Sequence, residues 1–310
     1  MRVAVYGAGG VGGYFGGRLA QAGHAVAFVA RGEHLAAIRR DGLAVASVAG
    51  DFVVRPAEAV EDPADIGPVD LVLVGVKAWQ VTETAKALSP LLRPDTVVLP
   101  LQNGVEAADQ LSAVIGPERV LGGLCKIMSL VAGPGKIRHA AVEPRIEFGE
   151  RDRRKTPRVA ALREVFERCQ GVSVDTPDDI EAALWEKFLF IAPVSGVGAV
   201  TRMPVGVVRR VPETRALLAA AMDEVEAVAR ARGIGVRADI VARTLGYIDG
   251  LPETTTASMQ RDIMEGRPSE LEQQNGAMAR LGRQLGVPVP VHECLYRSLL
   301  PAELKARGQL

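Results

Sequence analysis

The chain begins with the stretch Met1-Arg-Val-Ala-Val-Tyr-Gly-Ala-Gly-Gly-Val-Gly-Gly-Tyr-Phe-Gly-Gly17. Val3 and Val5 have the character of a buried parallel strand, and the pattern predicts a helix from Gly12 to about Ala22. Between them lies Gly-x-Gly-x-x-Gly, whose first glycine permits a tight turn, whose second admits a pyrophosphate and whose third lets the helix pack on the sheet. The stretch predicts a Rossmann dinucleotide-binding domain, with a phosphate loop made of Gly7, Ala8, Gly9, Gly10, Val11 and Gly12.

The residue after the second predicted strand bears on the choice of cofactor. Ala25-Val-Ala-Phe-Val-Ala30 is followed by Arg31, at the point where NAD sites usually carry an Asp or Glu. A guanidinium forms two hydrogen bonds to phosphate oxygens, and no carboxylate stands at the strand end to repel them. The sequence therefore favours NADP(H), with Arg31 on the 2′-phosphate; the alternative is an ordinary solvated loop arginine.

Length and composition indicate a soluble protein of two domains. The 310 residues exceed the size at which a single core stops growing. Lys plus Arg and Asp plus Glu number 37 each, which argues against nucleic acid or an anionic membrane as a partner. Apolar stretches are short, so we expect no signal peptide, no membrane span and a cytoplasmic location. Three widely spaced cysteines indicate reduced thiols, and four scattered histidines predict no metal site.

Strands and helices alternate to about residue 150, after which helices dominate. Strands are predicted at 69–76, 96–101, 120–128, 145–149 and 172–175, and helices at 82–92 and 158–169. In the second half, helices are predicted at 178–192, 212–232, 239–247 and 270–285. These patterns predict an α/β Rossmann domain over 1–175 and an all-helical domain over 176–310, with the active site in the cleft between them.

Two polar residues follow predicted strands of the first domain. Lys77 ends Gly75-Val-Lys77, and Asn103 follows Leu101-Gln102. Because ligands bind at the carboxyl ends of parallel strands, both residues are candidate contacts to a nicotinamide cofactor or its substrate. The alternative is that each residue only helps to form a turn, and Asn103-Gly104 is a good turn dipeptide.

A lysine stands inside the apolar segment Leu184-Trp-Glu-Lys-Phe-Leu-Phe190. Leu184, Lys187 and Phe188 recur at helical spacing, so the ammonium is expected where side chains are buried. A lysine so placed can donate a proton to a developing alkoxide. The alternative is a side chain that passes apolar neighbours to reach water. Glu270 is expected to open a helix after Ser269, where a carboxylate also suits the helix dipole.

Several motifs occur in a fixed order over nearly the whole chain. They are Gly7-x-Gly-x-x-Gly12, Arg31, Gly75-Val-Lys77, Gln102-Asn-Gly104, Leu184-Trp-x-Lys187, and Ser258-Met-Gln-x-Asp262 followed by Glu270. Together they resemble the ketopantoate reductases (2-dehydropantoate 2-reductases). The resemblance implies a Rossmann domain followed by an all-helical domain similar to that of 6-phosphogluconate dehydrogenase. It also implies NADPH-dependent reduction of 2-dehydropantoate to (R)-pantoate, a step toward pantothenate and coenzyme A.

The resemblance also implies roles for individual residues. Lys187 would be the general acid that protonates the carbonyl oxygen as hydride arrives. Glu270 would hold the substrate through a hydroxyl, and Ser258 would contact its carboxylate. Asn103 would bind the nicotinamide ribose and line the substrate site, and Lys77 would contact the cofactor.

One segment departs from the family pattern. The family carries asparagines one and two helical turns after the lysine, and here these positions are Ile191 and Ser195. Ser195 can replace part of the lost hydrogen bonding to substrate but Ile191 cannot, so another branched or more apolar 2-oxo acid is an alternative substrate. An NADPH-sensing protein without turnover is a further alternative, against which the presence of both Lys187 and Glu270 speaks. The apolar helical domain is also compatible with a homodimer.

Overall fold

The computed structural model describes residues 1–141 and 143–310. The chain forms two compact units: unit 1 comprises Met1–Gln102 and Glu106–Ile180, and unit 2 comprises Asn103–Val105 and Glu181–Leu310. The division of the chain into an NADP-binding domain over 1–175 and a helical substrate domain over 176–310 stays a prediction.

Unit 1 contains both strands and helices, which confirms the predicted α/β class. Its strands are β1 (Arg2–Tyr6), β2 (Ala25–Val29), β3 (Leu43–Ser47), β4 (Phe52–Val54), β5 (Glu58–Val60), β6 (Leu71–Val74), β7 (Val97–Pro100), β8 (Gly122–Lys126), β9 (Ser129–Gly133), β10 (Lys136–His139), β11 (Arg145–Gly149) and β12 (Ser173–Asp175). Its helices are α1 (Gly10–Gln21), α2 (Gly32–Asp41), α3 (Val81–Ala87), α4 (Ala107–Ile115) and α5 (Pro157–Glu167).

The main sheet of unit 1 positions the predicted cofactor loop. Its five strands run parallel in the order β5-β2-β1-β6-β7. Residues 71–74 are all buried, as expected for a parallel strand covered on both faces. The chain leaves β1 toward β2 on one side and returns to β6 on the other, so the strand order reverses between β1 and β6. Ligands of such sheets bind at this switch point, beyond the carboxyl ends of the strands.

Two smaller sheets complete unit 1, in the orders β4-β3-β10-β9 and β12-β11-β8. The strand predicted over 120–128 corresponds to the shorter β8, which pairs antiparallel with β11, the strand predicted at 145–149. Between β8 and β11 lies a separate hairpin, β9–β10 (Ser129–His139), which turns at Gly133-Pro-Gly135. The sequence analysis missed β3, β4, β5, β9 and β10, and also α2 and α4.

Unit 2 is helical over the residues that the structure describes. Its helices are α6 (Ile180–Thr201, whose first residue belongs to unit 1), α7 (Val205–Arg210), α8 (Pro212–Ala231), α9 (Ile240–Asp249), α10 (Ser258–Met264), α11 (Ala277–Leu285) and α12 (Pro290–Ala306), with a π-helix at Glu272–Gly276. The sequence analysis missed α7, α10 and α12. The helix predicted at 270–285 begins two residues later than predicted: Glu270 lies in a bend before the π-helix, and its carbonyl oxygen accepts from the N–H of Gln274 at 3.0 Å.

Helix α6 is the core helix of unit 2. It continues nine residues beyond the predicted end at 192 and passes through Pro193. A proline removes one backbone N–H donor, but Trp185, Phe188 and Leu189 are fully buried in the unit 2 core and fix the helix by packing. By length and composition α6 is apolar enough to cross a membrane, yet 67% of its most apolar window is buried, as in the core helix of a soluble protein.

Candidate active site

The phosphate loop connects β1 to α1 and depends on its glycines for two different reasons. Gly7 has φ +99°, and a Cβ there would lie 2.8 Å from the backbone nitrogen of Val76. A Cβ on Gly12 would overlap the carbonyl oxygen of Gly7. By contrast, a Cβ on Gly9 would have no atom within 4 Å. The fold itself therefore requires Gly7 and Gly12, whereas the open space at Gly9 fits the close approach of a pyrophosphate.

The N-terminus of α1 is available to an anion. The helix begins at Gly10, and among the described residues no side chain caps it and no acidic residue lies in its first turn. The first N–H groups of an α-helix have no acceptor within the helix, and the helix dipole makes this end positive. The loop and the helix end therefore form a cradle that fits a dinucleotide pyrophosphate.

Arg31 lies at the end of β2 and forms the N-cap of α2. Its side chain is exposed and makes no hydrogen bond or ion pair to any part of the chain that the structure describes. Burial raises the pKa of Tyr6, the charge of Arg31 opposes this rise, and the charge of Asp62 adds to it. Asp62, a carboxylate that the sequence analysis did not consider, thus acts on the same tyrosine as Arg31.

The ends of β6 and β7 carry Lys77 and Gln102. Lys77 is exposed, with Nζ 5.6 Å from the centre of the Trp79 ring. Gln102 is buried, and its Nε2 donates to the carbonyl oxygens of Val74 at 2.9 Å and Val76 at 3.0 Å. Gln102 therefore holds the strand end before Lys77 in place. The sequence analysis quoted Gln102 only as part of a motif, because nothing in its spacing reveals these partners.

Three predicted site residues of unit 2 form one chain of hydrogen bonds, which we call the polar triad. Lys187 Nζ donates to Asn103 Oδ1 at 3.0 Å, and Asn103 Nδ2 donates to Glu270 Oε2 at 3.3 Å. Helix α6 supplies the lysine, which is partly rather than fully buried, and the carboxylate is only 5% exposed. The polar triad joins residues that are 84 and 167 positions apart in the sequence.

The chemistry of the polar triad fixes the orientation of its central amide. An ammonium only donates hydrogen bonds, and an ionised carboxylate only accepts them. Asn103 must therefore turn its oxygen toward Lys187 and its nitrogen toward Glu270. The arrangement presents a proton donor beside a nearly buried carboxylate, with an amide that separates the two charges.

A buried network holds the backbone next to Glu270. Glu303, on α12, accepts hydrogen bonds from the N–H of Ser269 at 3.0 Å and from its hydroxyl. Arg307 donates to Glu303 Oε1 at 2.6 Å and to the carbonyl oxygen of Ser269 at 2.9 Å. Ser269 is fully buried and Glu303 is 4% exposed. This network sets the bend that carries Glu270, and the sequence analysis did not find it because α12 was not predicted.

The remaining predicted substrate contacts are not linked to the polar triad by hydrogen bonds. Ser195 is fully buried, and its hydroxyl has no partner among the residues that the structure describes. Ile191 is partly buried and packs against the unit 2 core. Ser258 is the first residue of α10 and partly buried; in the described chain its hydroxyl makes no hydrogen bond.

The cysteines and the potential metal-ligating side chains of the described residues were also compared with the predictions. Cys125 and Cys169 are buried thiols and Cys294 is an exposed one. Burial raises the pKa of the Cys169 thiol to about 11, so this thiol is protonated at neutral pH. Over residues 1–141 and 143–310, no group of three or more His, Cys, Asp or Glu side chains is placed to hold a metal ion.

Comparisons with known proteins match both parts of the chain. Residues 3–153 match the family described as ketopantoate reductase PanE/ApbA, and residues 179–303 match its C-terminal part. A 2-dehydropantoate 2-reductase of Mesorhizobium japonicum is 30% identical over 94% of this chain and 94% of its own length. The crystal structure of a PanE/ApbA family ketopantoate reductase from Ralstonia eutropha JMP134 is 34% identical, with a TM-score of 0.90 over 99% of this chain and all of that one.

A more distant solved structure shares the fold. A D-mandelate dehydrogenase in complex with NADH and anilino(oxo)acetate superposes with a TM-score of 0.87 over 99% of each chain, at 22% identity. This likeness concerns the fold alone.

Proposed function

We propose, from the premise that this chain belongs to the PanE/ApbA ketopantoate reductase family of oxidoreductases, that it reduces a 2-oxo acid to the 2-hydroxy acid with NADPH. The first-choice substrate is 2-dehydropantoate and the product (R)-pantoate, as in the cytoplasmic route to pantothenate. The observation that supports the proposal is the polar triad, which brings an ammonium, an amide and a carboxylate together in a chain of the reductase family.

Reduction of a ketone requires a hydride at carbon and a proton at oxygen. A bound nicotinamide dinucleotide supplies the hydride. Lys187 Nζ gives its proton to the carbonyl oxygen as negative charge develops there, and it regains a proton from water. Asn103 accepts a hydrogen bond from Nζ at 3.0 Å and so limits the directions in which the ammonium can point. The lysine thereby acts as the general acid in a fixed orientation.

The other triad members would hold the substrate. Glu270 is only 5% exposed, and a carboxylate in a nearly buried site binds a hydroxyl strongly. Ser258 would contact the substrate carboxylate, and the hydroxyl of Ser195 would take part of the role of the missing family asparagine. A buried hydroxyl without a protein partner gains a hydrogen bond when a polar ligand binds, which supports this role for Ser195.

The cofactor would be held by unit 1. The phosphate loop and the N-terminus of α1 would bind the pyrophosphate, and Lys77 would contact the cofactor near the ends of β6 and β7. Arg31 favours the 2′-phosphate of NADPH, since its guanidinium is exposed and has no acceptor among the described side chains.

A second candidate substrate follows from Ile191. An isoleucine replaces a hydrogen-bonding amide with a branched apolar side chain, one helical turn after Lys187. Such a site favours a 2-oxo acid with a branched or apolar group where 2-dehydropantoate is polar, and the chemistry at the ketone stays the same.

The test is NADPH oxidation by the purified protein with 2-dehydropantoate and a panel of branched and apolar 2-oxo acids, repeated with NADH. A kcat/KM that is highest for 2-dehydropantoate with NADPH supports the first-choice function. A higher kcat/KM for another acid supports the same mechanism and identifies that acid as the better substrate. Tight NADPH binding without turnover of any acid contradicts the enzyme and supports a sensor of NADPH. If neither dinucleotide binds, the proposal fails altogether.

A further inference from the structure

Two side chains outside the glycine motif make hydrogen bonds to backbone carbonyl oxygens of the phosphate loop. His34, on α2, lies with Nε2 2.8 Å from the carbonyl oxygen of Ala8. Ser129, at the start of the β9–β10 hairpin, donates from its hydroxyl to the carbonyl oxygen of Gly10 at 2.9 Å. The two carbonyl groups therefore each have a side-chain donor, although neither His34 nor Ser129 belongs to a motif that predicts cofactor binding.

The partners of His34 determine which ring nitrogen carries the proton. The backbone N–H of Gly135, in the turn of the β9–β10 hairpin, donates to His34 Nδ1 at 3.0 Å. Because an N–H can only donate, Nδ1 must be unprotonated, and the ring proton lies on Nε2. His34 therefore donates to Ala8 while it accepts from the hairpin, and it connects the loop to the hairpin in one defined tautomer.

When the carbonyl groups of Ala8 and Gly10 are held in place, the N–H groups of the residues that follow them are also oriented. A peptide unit is planar and trans, so its carbonyl oxygen and the N–H of the next residue point in opposite directions. A carbonyl of Ala8 fixed by His34 therefore fixes the N–H of Gly9. In the same way, a carbonyl of Gly10 fixed by Ser129 fixes the N–H of Val11. These N–H groups belong to the loop and helix end that fit a pyrophosphate.

The hairpin lies too close to the loop for this arrangement to be incidental. A Cβ on Gly10 would lie 2.5 Å from the carbonyl oxygen of Ser129, and one on Gly13 would lie 2.8 Å from Ile137 Cγ1. The glycines at these positions thus allow the hairpin to pack directly on the loop and on the first turn of α1. The side chains of His34 and Ser129 are the polar links across that packing.

We propose that His34 and Ser129 are positioning residues of the dinucleotide site, which hold the Ala8 and Gly10 carbonyl groups and so aim the Gly9 and Val11 N–H groups at the phosphates. The inference rests on the proposed function for the identity of the ligand. Neither side chain touches the reacting atoms. Both are therefore expected to act on cofactor affinity and not on the rate of the chemical step.

The experiment is a titration of full-length protein with NADPH, followed by its fluorescence, for the variants His34→Leu, His34→Gln and Ser129→Ala. Loss of one hydrogen bond to the loop should raise the Kd of H34L about fivefold to tenfold and that of S129A about threefold. H34Q should lie close to the wild type, because a glutamine amide also offers both N–H donors and an acceptor oxygen. The kcat at saturating NADPH should stay unchanged in all three.

A matched control is His24→Leu, which removes a partly buried histidine of unit 1 at the turn before β2 and should leave the Kd unchanged. Wild-type affinity in H34L, equal losses in H34L and H34Q, or a lower kcat at saturating NADPH with an unchanged Kd would each overturn the inference. If H34L does not fold, the affinity of S129A decides. Failure of the wild type to bind NADPH or NADH would count against the proposed function instead.

Discussion

The phosphate loop of unit 1 is built from backbone, whereas the polar triad of unit 2 is built from side chains. The loop depends on the absence of side chains at Gly7, Gly9 and Gly12, all within six residues. The polar triad depends on the functional groups of Asn103, Lys187 and Glu270, which come from three distant segments. A backbone site can thus be recognised from local spacing, while a side-chain site becomes visible only when the fold brings its members together. The two sites should also fail differently on substitution.

The polar triad should fail at the chemical step. Lys187→Ala is expected to lower kcat by about 10²-fold to 10⁴-fold, because the general acid is lost, while the Kd for NADPH stays within about twofold. Steady-state kinetics and an NADPH titration together measure both quantities. Lys305→Ala removes an exposed lysine of unit 2 and serves as the control. A K187A variant with wild-type kcat would contradict the assignment of the proton donor.

The closed part of the loop should fail by loss of stability. Gly12→Ala is expected to lower the free energy of unfolding by about 1–3 kcal/mol, because its Cβ meets the carbonyl oxygen of Gly7 and the turn must shift. Cofactor affinity should fall with it. Denaturant unfolding of the free protein gives the measurement. Unchanged stability in G12A would mean that the helix approaches the strand less closely than described.

Arg31 tests whether a side chain adds selectivity to a site made of backbone. Arg31→Ala is expected to raise the Kd for NADPH about tenfold, through loss of a charge-assisted hydrogen bond, and to leave the Kd for NADH unchanged. Parallel titrations with the two dinucleotides measure the difference. Arg40→Ala, in the same helix and paired with Asp41, is the matched control. Equal weakening for both dinucleotides would assign Arg31 a role other than phosphate recognition.

The open part of the loop should give the smallest effect and the sharpest contrast. Gly9 has φ −71°, which any residue adopts, and open space around its Cβ position. Gly9→Ala should therefore leave the free energy of unfolding unchanged and raise the Kd for NADPH about fivefold, because a methyl group keeps the phosphates from the backbone N–H groups. Comparison of G9A with G12A distinguishes a glycine that leaves room for the cofactor from one that the packing of the helix requires. Loss of stability in G9A would contradict that distinction.

The sequence predicts the loop, α1 and the apolar helix of Lys187 because each is encoded by neighbouring residues. The α/β class and the helical second half follow from the same local periodicity, and the structure confirms the fold class. The sequence does not reveal that Gln102 holds the end of β6, or that Glu303 and Ser269 hold the bend that carries Glu270, since those partners are set by tertiary packing. Lys187 is predicted with the correct helix, but its contact with Asn103 requires the fold.

Pro193 is a position at which a local sequence rule predicts the wrong structure. A proline predicts the end or bending of a helix because it lacks a backbone donor. Helix α6 nevertheless continues to Thr201, since the side chains on both sides of Pro193 are buried. Packing over many residues outweighs the loss of one hydrogen bond, and only the structure reveals that balance.

The glycines of α1 also have a consequence for the order of folding. This 12-residue helix contains five glycines, each of which disfavours a helix by roughly 0.5–1 kcal/mol relative to alanine. An isolated peptide of this sequence is therefore expected to be unstructured, and α1 to acquire its shape only as β1 joins β2 and β6. We therefore expect the anion-binding end of the helix to form late in sheet assembly, and a nascent chain to gain affinity for a dinucleotide only after residues 71–74 have paired with β1.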